Sequence, residues 1–148
     1  MAAIQRGHLH FIQPLLDAGA EVNDLNVARK MSCIHLAVRS SRPEILELLL
    51  RFGANVNIRD GSGKTALHIL ISQWTKDGLE DTRWPYFDLL ISHPATDINA
   101  QDNDEITPLE LAVRKSLLNV VRKLLQAGAT LTQHVREAME VCDNARRP

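Results

Sequence analysis

The sequence predicts an all-α fold in which short antiparallel helix pairs stack in a row to form one domain. One observation behind this prediction is that two short motifs recur together, about every 33 residues. Another is that short amphipathic segments lie between the motifs and end near a glycine. Helices of this length cannot bury their apolar side alone, and so the units must pack against one another.

The first motif closes each unit and has the form Gly-Ala-x-x-Asn. Its copies lie at residues 18–23 and 53–57, and in weaker form at residues 95–99 and 128–132. The last residues of the four copies are 34, 42 and 33 positions apart. One unit in the middle of the chain is therefore longer than the others.

The second motif opens a helix in each unit. It reads Ser-Cys-Ile-His-Leu-Ala at residues 32–37, Thr-Ala-Leu-His-Ile at 65–69 and Thr-Pro-Leu-Glu-Leu-Ala at 107–112. A serine or threonine at the first position is a typical helix N-cap. The copies begin 33 and 42 residues apart, so both motifs follow the same period.

A second helix is predicted in each unit from apolar residues at helical spacing. Such stretches lie within residues 9–16, 45–50 and 118–125. They end close to Gly19, Gly53 and Gly128. Glycine is common directly after a helix because it adopts the left-handed backbone conformation without a Cβ clash.

These motifs resemble the ankyrin repeat, whose pattern is Thr-Pro-Leu-His-x-Ala, then a helix ending in Leu-Leu, then Gly-Ala-x-x-Asn. The resemblance covers nearly the whole chain and implies antiparallel helix pairs joined by β-turn fingers. A finger is the turn that precedes the first helix of a unit. The units are approximately residues 1–23, 24–57, 58–99 and 100–131, within a single domain 1–148.

Several units depart from the family pattern. The first starts inside its first helix, and we expect the natural protein to continue upstream or the chain to be trimmed; a genuine short start is the less favoured alternative. In the third unit, eight extra residues near 74–81 are polar and predict a loop between the two helices. The resemblance implies that His35 and His68 bond to backbone in the neighbouring finger. Glu110 takes this place in the fourth unit and, when ionised, cannot donate such a bond.

The chain ends in a segment with a different pattern. One helical face would carry Val135, Ala138, Met139 and Cys142. This spacing predicts a terminal helix over residues 132–145 that covers the end of the stack. The alternative is that this helix is the first of a further unit.

No motif in the sequence indicates catalysis, a cofactor or a metal site. The histidines and cysteines form neither a Cys-x-x-Cys nor a His-Glu-x-x-His pattern. Residues 61–65 read Gly-Ser-Gly-Lys-Thr but lack the spacing and preceding strand of a phosphate-binding loop, so a finger turn is the preferred interpretation. We therefore expect a protein that is not an enzyme.

Composition narrows the class of partner and the compartment. The net charge of -1 argues against a nucleic-acid binder, whose affinity comes largely from contacts with phosphate. Two cysteines are too few for a disulfide framework. No apolar run approaches the roughly 20 residues that span a bilayer. We expect a cytoplasmic or nuclear protein, or the soluble part of a membrane protein.

The resemblance implies that a partner protein or peptide binds on the concave side, which fingers and first helices form. Carried over by position, with Trp74 added from the insertion, the candidate binding residues are Arg29, Met31, Arg39, Lys64, Gln73, Trp74, Asp104, Ile106, Arg114 and Lys115. Five of these residues are basic and one is acidic, which predicts an acidic or phosphorylated partner. The alternative is that they are ordinary solvated charges.

The two tryptophans receive different interpretations. Trp84 takes a position filled by Leu9 and Leu118 in other units, and we expect it in the core. Trp74 has no such equivalent. It is either an exposed anchor for a partner or folded over its own helix pair, and the sequence favours neither.

The function predicted from these features is a non-catalytic protein-interaction module, as an adaptor or substrate receptor in a larger protein. The alternative is a structural segment of a longer array, such as the cytoplasmic part of a channel or a cytoskeletal linker. A weaker alternative is nucleic-acid binding through the basic inner side.

Overall fold

A computed structural model describes residues 2–6, 8–26, 30–40, 42–74, 82–133 and 136. The α-helices of this part of the chain come in four consecutive pairs. They are α1 (Ala2–Gln5) with α2 (Leu9–Asp17), α3 (Cys33–Arg39) with α4 (Pro43–Arg51), α5 (Ala66–Ser72) with α6 (Trp84–Ser92), and α7 (Pro108–Arg114) with α8 (Leu118–Gln126). The predicted all-α fold of stacked helix pairs is confirmed. No described helix is long and apolar enough to cross a membrane.

The helices form two layers. In the inner layer α3 packs between α1 and α5, and α5 also packs against α7. In the outer layer α4 contacts both α2 and α6. One continuous core lies between the layers, and its fully buried side chains include Ile34, Leu49, Leu67, Phe87 and Leu109. Each helix thus buries its apolar side against the helices of neighbouring units, as the short apolar stretches require.

The predicted helix ends are present. In α3 and α5 the N-cap residue donates its backbone N–H to Nδ1 of a histidine three positions on, from Ser32 to His35 at 3.1 Å and from Thr65 to His68 at 3.3 Å. In α7 the Thr107 hydroxyl accepts a hydrogen bond from the backbone of Glu110 at 3.2 Å. These bonds satisfy backbone groups that a helix end leaves without partners.

Three asparagines, Asn23, Asn57 and Asn99, join consecutive units. Each side-chain carbonyl accepts a bond from a backbone N–H of the next unit, at Asn55 (2.7 Å), Asp97 (2.8 Å) and Thr130 (2.8 Å). Each side-chain amide donates to a backbone carbonyl there, at Gly53 (3.3 Å), Ala95 (2.6 Å) and Gly128 (3.4 Å). Asn57 makes this pair of bonds across the longer third unit, so the extra residues of that unit do not interrupt the series. We call these bonds of Asn23, Asn57 and Asn99 the asparagine ladder.

Two expectations fall mainly outside the described residues. The polar insertion was placed near residues 74–81, of which the structure describes residue 74. Of the predicted terminal helix 132–145, it describes residues 132, 133 and 136, where the Arg136 N–H donates to the Thr132 carbonyl at 3.1 Å. Both remain predictions.

Candidate functional site

The fingers stand directly before the inner helices α3, α5 and α7. In finger two, β1 (Leu25–Asn26) pairs with β2 (Met31–Ser32) in an antiparallel hairpin. Fingers three and four are tight turns closed by a backbone bond, from Asp60 to Lys64 at 2.9 Å and from Asp102 to Ile106 at 3.0 Å. The predicted finger turn at residues 61–65 is confirmed, and the small hairpin adds the only strands among the described residues.

Fingers three and four owe their shape to an aspartate at the first position. One carboxylate oxygen of Asp60 accepts backbone bonds from Ser62 and Lys64, at 2.8 and 2.9 Å. Asp102 does the same for Asp104 and Ile106, at 3.0 Å each. The two recurring sequence motifs do not include these two aspartates. Their separation of 42 residues, equal to that of the two threonine N-caps, is the signal that identifies them.

The fingers are fixed to one another and to the helices. The Asn103 N–H of finger four donates to the Ser62 carbonyl of finger three at 3.0 Å. Because Nδ1 of His68 accepts a bond at the helix start, its Nε2 donates to the Ile106 carbonyl at 3.0 Å. The predicted structural role of His68 is thereby confirmed. His35 lies equally buried, but its Nε2 has no hydrogen-bond partner among the described residues, so the bond expected from this ring to the neighbouring finger is not present.

Burial gives both histidines the same electrostatic character. Loss of water around the ring disfavours the charged form and lowers the pKa of His68 below its ordinary value of about 6.5. Burial lowers the pKa of His35 in the same way, although the nearby carboxylate of Asp60 opposes the shift. These rings are therefore neutral structural groups beneath the fingers and add no positive charge to the surface.

The second and third units present basic side chains beside the fingers. Arg39 is exposed at the end of α3, and its guanidinium lies 3.9 Å from the sulfur of Met31 in finger two. Met31 itself is buried, so it supports Arg39 and offers little surface to a partner. Lys64 is half-buried in finger three. Neither cation forms an ion pair within the described part of the chain.

Two further basic residues, which are not among the candidates carried over from the family pattern, belong to this surface. Lys30 is exposed in finger two, and its stem lies against Gly61 of finger three. Arg59 is exposed directly before finger three, and its Nε donates to the Gly63 carbonyl at 3.0 Å. Lys30 lies between the candidates Arg29 and Met31, and Arg59 lies five residues before the candidate Lys64, so a charge count over the whole finger identifies both. Lys30, Arg39, Arg59 and Lys64 form what we call the basic finger surface.

The fourth unit differs from the expectation of a uniformly basic side. The guanidinium of Arg114 lies 2.6 Å from the buried carboxylate of Glu110, and the Lys115 ammonium donates to the Ser72 carbonyl. Both cations are thus engaged within the chain. Asp104 is exposed in finger four, and the exposed Glu105 follows it. Positive charge is therefore concentrated on the second and third units.

The interpretation of Trp74 as an exposed anchor is wrong. Its side chain is only 4% exposed, because its ring packs edge-on against Trp84 at 4.9 Å and Phe87 at 5.6 Å between centroids. The alternative, that Trp74 folds over its own helix pair, is confirmed. Trp84 packs against the core as expected but keeps partial exposure, with the Lys123 ammonium 4.7 Å from its ring centroid.

The remaining candidates are placed as follows. Gln73 is half-buried at the end of α5, and Ile106 is half-buried while its carbonyl holds His68. Arg29 lies outside the described residues. Among the described residues, no group of three or more His, Cys, Asp or Glu side chains is arranged to hold a metal ion.

Comparisons with known proteins agree with this architecture. A family model described as "Ankyrin repeats (3 copies)" matches residues 1–84. The chain is 33% identical over 120 residues to the Neurogenic locus Notch protein of Drosophila melanogaster. It is 34% identical over 117 residues to the neurogenic locus notch homolog protein 4 of Homo sapiens. The matches cover 81% and 79% of this chain but only 4% and 5% of those relatives.

Proposed function

The chain belongs to the ankyrin-repeat family of protein-interaction modules, and on that premise we propose that it binds an acidic or phosphorylated segment of a partner protein across its basic finger surface. One observation carries this proposal. Arg39 and Lys64 stand beside the fingers, and neither side chain forms an ion pair within the described part of the chain. The proposed activity is non-catalytic binding, with the chain acting as an adaptor or substrate receptor within a larger protein.

The chemistry of the two cations suits such a partner. A guanidinium offers a planar set of donors that matches a carboxylate or phosphate, and Arg39 is an exposed residue. Lys64 adds a point charge one finger away. Asp104 and Glu105 would repel the same ligand from finger four. The acidic segment is therefore proposed to cross fingers two and three.

Rigidity of the fingers supports this role. The backbone bonds of Asp60 and the contact between Ser62 and Asn103 hold finger three in one conformation. A partner that docks on a preformed surface loses less free energy in ordering loops. Together with the low cysteine content, the fold suits a module that we propose to work in the cytoplasm or nucleus.

The test uses charge reversal with a matched control. The variant Arg39→Glu/Lys64→Glu reverses two charges on the basic finger surface. The control Arg42→Glu/Arg122→Glu makes the same change at two exposed arginines of the outer layer, one at the N-cap of α4 and one in α8. Each protein is used to capture partners from cell lysate, with and without prior phosphatase treatment, and the captured partner is then titrated against each chain.

We expect a partner that binds the wild type and the control equally and binds the finger variant at least about tenfold more weakly. Loss of capture after phosphatase treatment identifies the acidic group as a phosphate. Equal affinity of all three proteins for the partner would contradict the proposal.

A second function is favoured by a separate observation. Large apolar side chains are exposed on the two outermost helices of the outer layer, Phe11 and Leu15 on α2 and Leu118 on α8. Exposed apolar surface of this kind is covered in an array of stacked units or in a self-associated protein. In this alternative the chain is a structural segment of a longer array. Sedimentation velocity tests it, because self-association that is lost in Phe11→Ser/Leu15→Ser would favour the structural function.

A further inference from the structure

The outer layer contains a groove that the basic finger surface does not use. It lies between α2 and α4 and has a volume of about 610 Å³. Its lining residues are His10, Gln13, Glu44, Glu47, Leu48 and Arg51. Both helices belong to the outer layer, whereas the fingers precede helices of the inner layer. A ligand in this groove would therefore contact a different part of the protein.

The step between α6 and α8 contains an ion pair that the step between α2 and α4 lacks. The fifth residue of α6 is Asp88 and the sixth of α8 is Lys123, and these side chains form a salt bridge at 2.6 Å. The same two positions in α2 and α4 hold Gln13 and Leu48, which cannot form an ion pair. The Gln13 amide instead donates to Asp17 of its own helix at 3.0 Å. No equivalent bridge therefore joins α2 to α4 at these positions.

The groove also has an unbalanced charge. Glu44 and Glu47 are exposed three residues apart on one side of α4, where neighbouring like charges repel each other. Neither forms an ion pair within the described residues, and Arg51, one turn beyond Glu47, is not bridged to it. Helix α2 contributes no lysine or arginine. The groove is thus lined by two carboxylates and the single guanidinium of Arg51, and α2 adds only the imidazole of His10.

We propose that the groove between α2 and α4 binds a lysine- or arginine-bearing segment of a partner protein. A cationic head group fits between Glu44 and Glu47, where it relieves their mutual repulsion. The nearly buried side chain of Leu48 supplies an apolar floor for the aliphatic stem of the ligand. The contact between these carboxylates and a cation of the partner would be of the same kind as the salt bridge between Asp88 and Lys123 within this chain.

The first test titrates the chain with a blocked hexalysine peptide, and with hexaglutamate as the probe of opposite charge, while NMR follows the backbone amides. Glu44→Gln/Glu47→Gln removes the groove charges. Asp104→Asn/Glu105→Gln is the matched control, because it removes two exposed carboxylates from finger four.

We expect hexalysine to shift amides of α2 and α4, with an affinity that falls about tenfold in the groove variant and is unchanged in the control. Hexaglutamate should leave α2 and α4 unshifted. Equal binding of hexalysine to the groove variant, or its loss only in the finger-four control, would overturn the proposal.

A second variant tests the geometry of the groove. Gln13→Asp/Leu48→Lys introduces the residue pair that joins α6 to α8. The two introduced side chains should pair across the groove, so hexalysine binding should be lost while the circular dichroism spectrum of the folded chain is retained. Undiminished binding by the folded variant would contradict the proposed site. If this variant does not fold, Glu44→Gln/Glu47→Gln still decides the question.

Discussion

The guanidinium of Arg114 lies 2.6 Å from the carboxylate of Glu110, one helical turn earlier in α7. Glu110 stands where the other units have a histidine, and its side chain is buried. A buried carboxylate requires a charge partner, and Arg114 provides it. Arg114 therefore has a structural explanation that does not involve a ligand.

This pair leads to a prediction about stability and binding. Arg114→Met should lower the free energy of unfolding by about 1–2 kcal/mol, a value reduced from that of a buried pair because Arg114 is half exposed. Urea denaturation measures the change. Glu110→Gln/Arg114→Met should recover part of the loss, since no charge is then left without a partner. Partner affinity should be unchanged in both, and a marked loss would return Arg114 to the binding surface.

Gly63 is predicted to be the most sensitive glycine of the fingers. Its φ is +74°, and a Cβ there would lie 2.2 Å from the side-chain oxygen of Asn103 in finger four. Gly63→Ala should lower the free energy of unfolding by about 2–4 kcal/mol, because the left-handed backbone and the clash both disfavour a Cβ. Gly53→Ala is the control, because its φ is +77° but a Cβ would meet nothing within 4 Å. Equal losses in thermal unfolding would show that the contact with Asn103 is unimportant.

The asparagine ladder predicts an effect across the longest unit. Asn57→Ala removes the bonds to Ala95 and Asp97, and it should destabilise the fold by about 1–2 kcal/mol. Asn119→Ala, at an exposed position of α8, should change stability by less than about 0.5 kcal/mol. Chemical denaturation of both variants measures the difference. A neutral Asn57→Ala would mean that the ladder does not hold the third unit in place.

The buried histidines predict a dependence of stability on pH. Burial lowers the pKa of His35 and His68 in the folded state, so the unfolded chain binds protons more readily. The stabilising contribution of the neutral histidines is fully present above about pH 6.5, the pKa of histidine in the unfolded chain. Below that pH the free energy of unfolding falls, by at most about 1.4 kcal/mol per pH unit for each ring. Urea denaturation between pH 7 and pH 5 measures it. His68→Gln should flatten the curve; an unchanged slope would contradict this assignment.

The fold was predictable because its signals are repeated along the chain. The helix start at Ser32 recurs at Thr65 and Thr107, and the glycine after α4 recurs after α2 and α8. Each copy reports the same backbone requirement, so one weak copy does not obscure the period. The two-residue strands of finger two have no such signal, since β1 and β2 are defined by pairing between them.

The candidate surface was predictable only in part. Position in the repeat placed Arg39 and Lys64 beside the fingers, but it could not show whether a charge is compensated. Arg114 is paired through a substitution at Glu110, and Trp74 is buried by Trp84, which lies across the insertion. Both outcomes depend on contacts between side chains of one particular chain, which a family pattern does not specify.

The most direct test of the central claim is amide hydrogen exchange of the chain, measured with and without its captured partner. Binding across fingers two and three predicts slower exchange at residues 30–40 and 59–64, with little change in α6 and α8. Protection confined to the outer helices, with the fingers unaffected, would contradict the claim that this protein binds its partner through the basic finger surface.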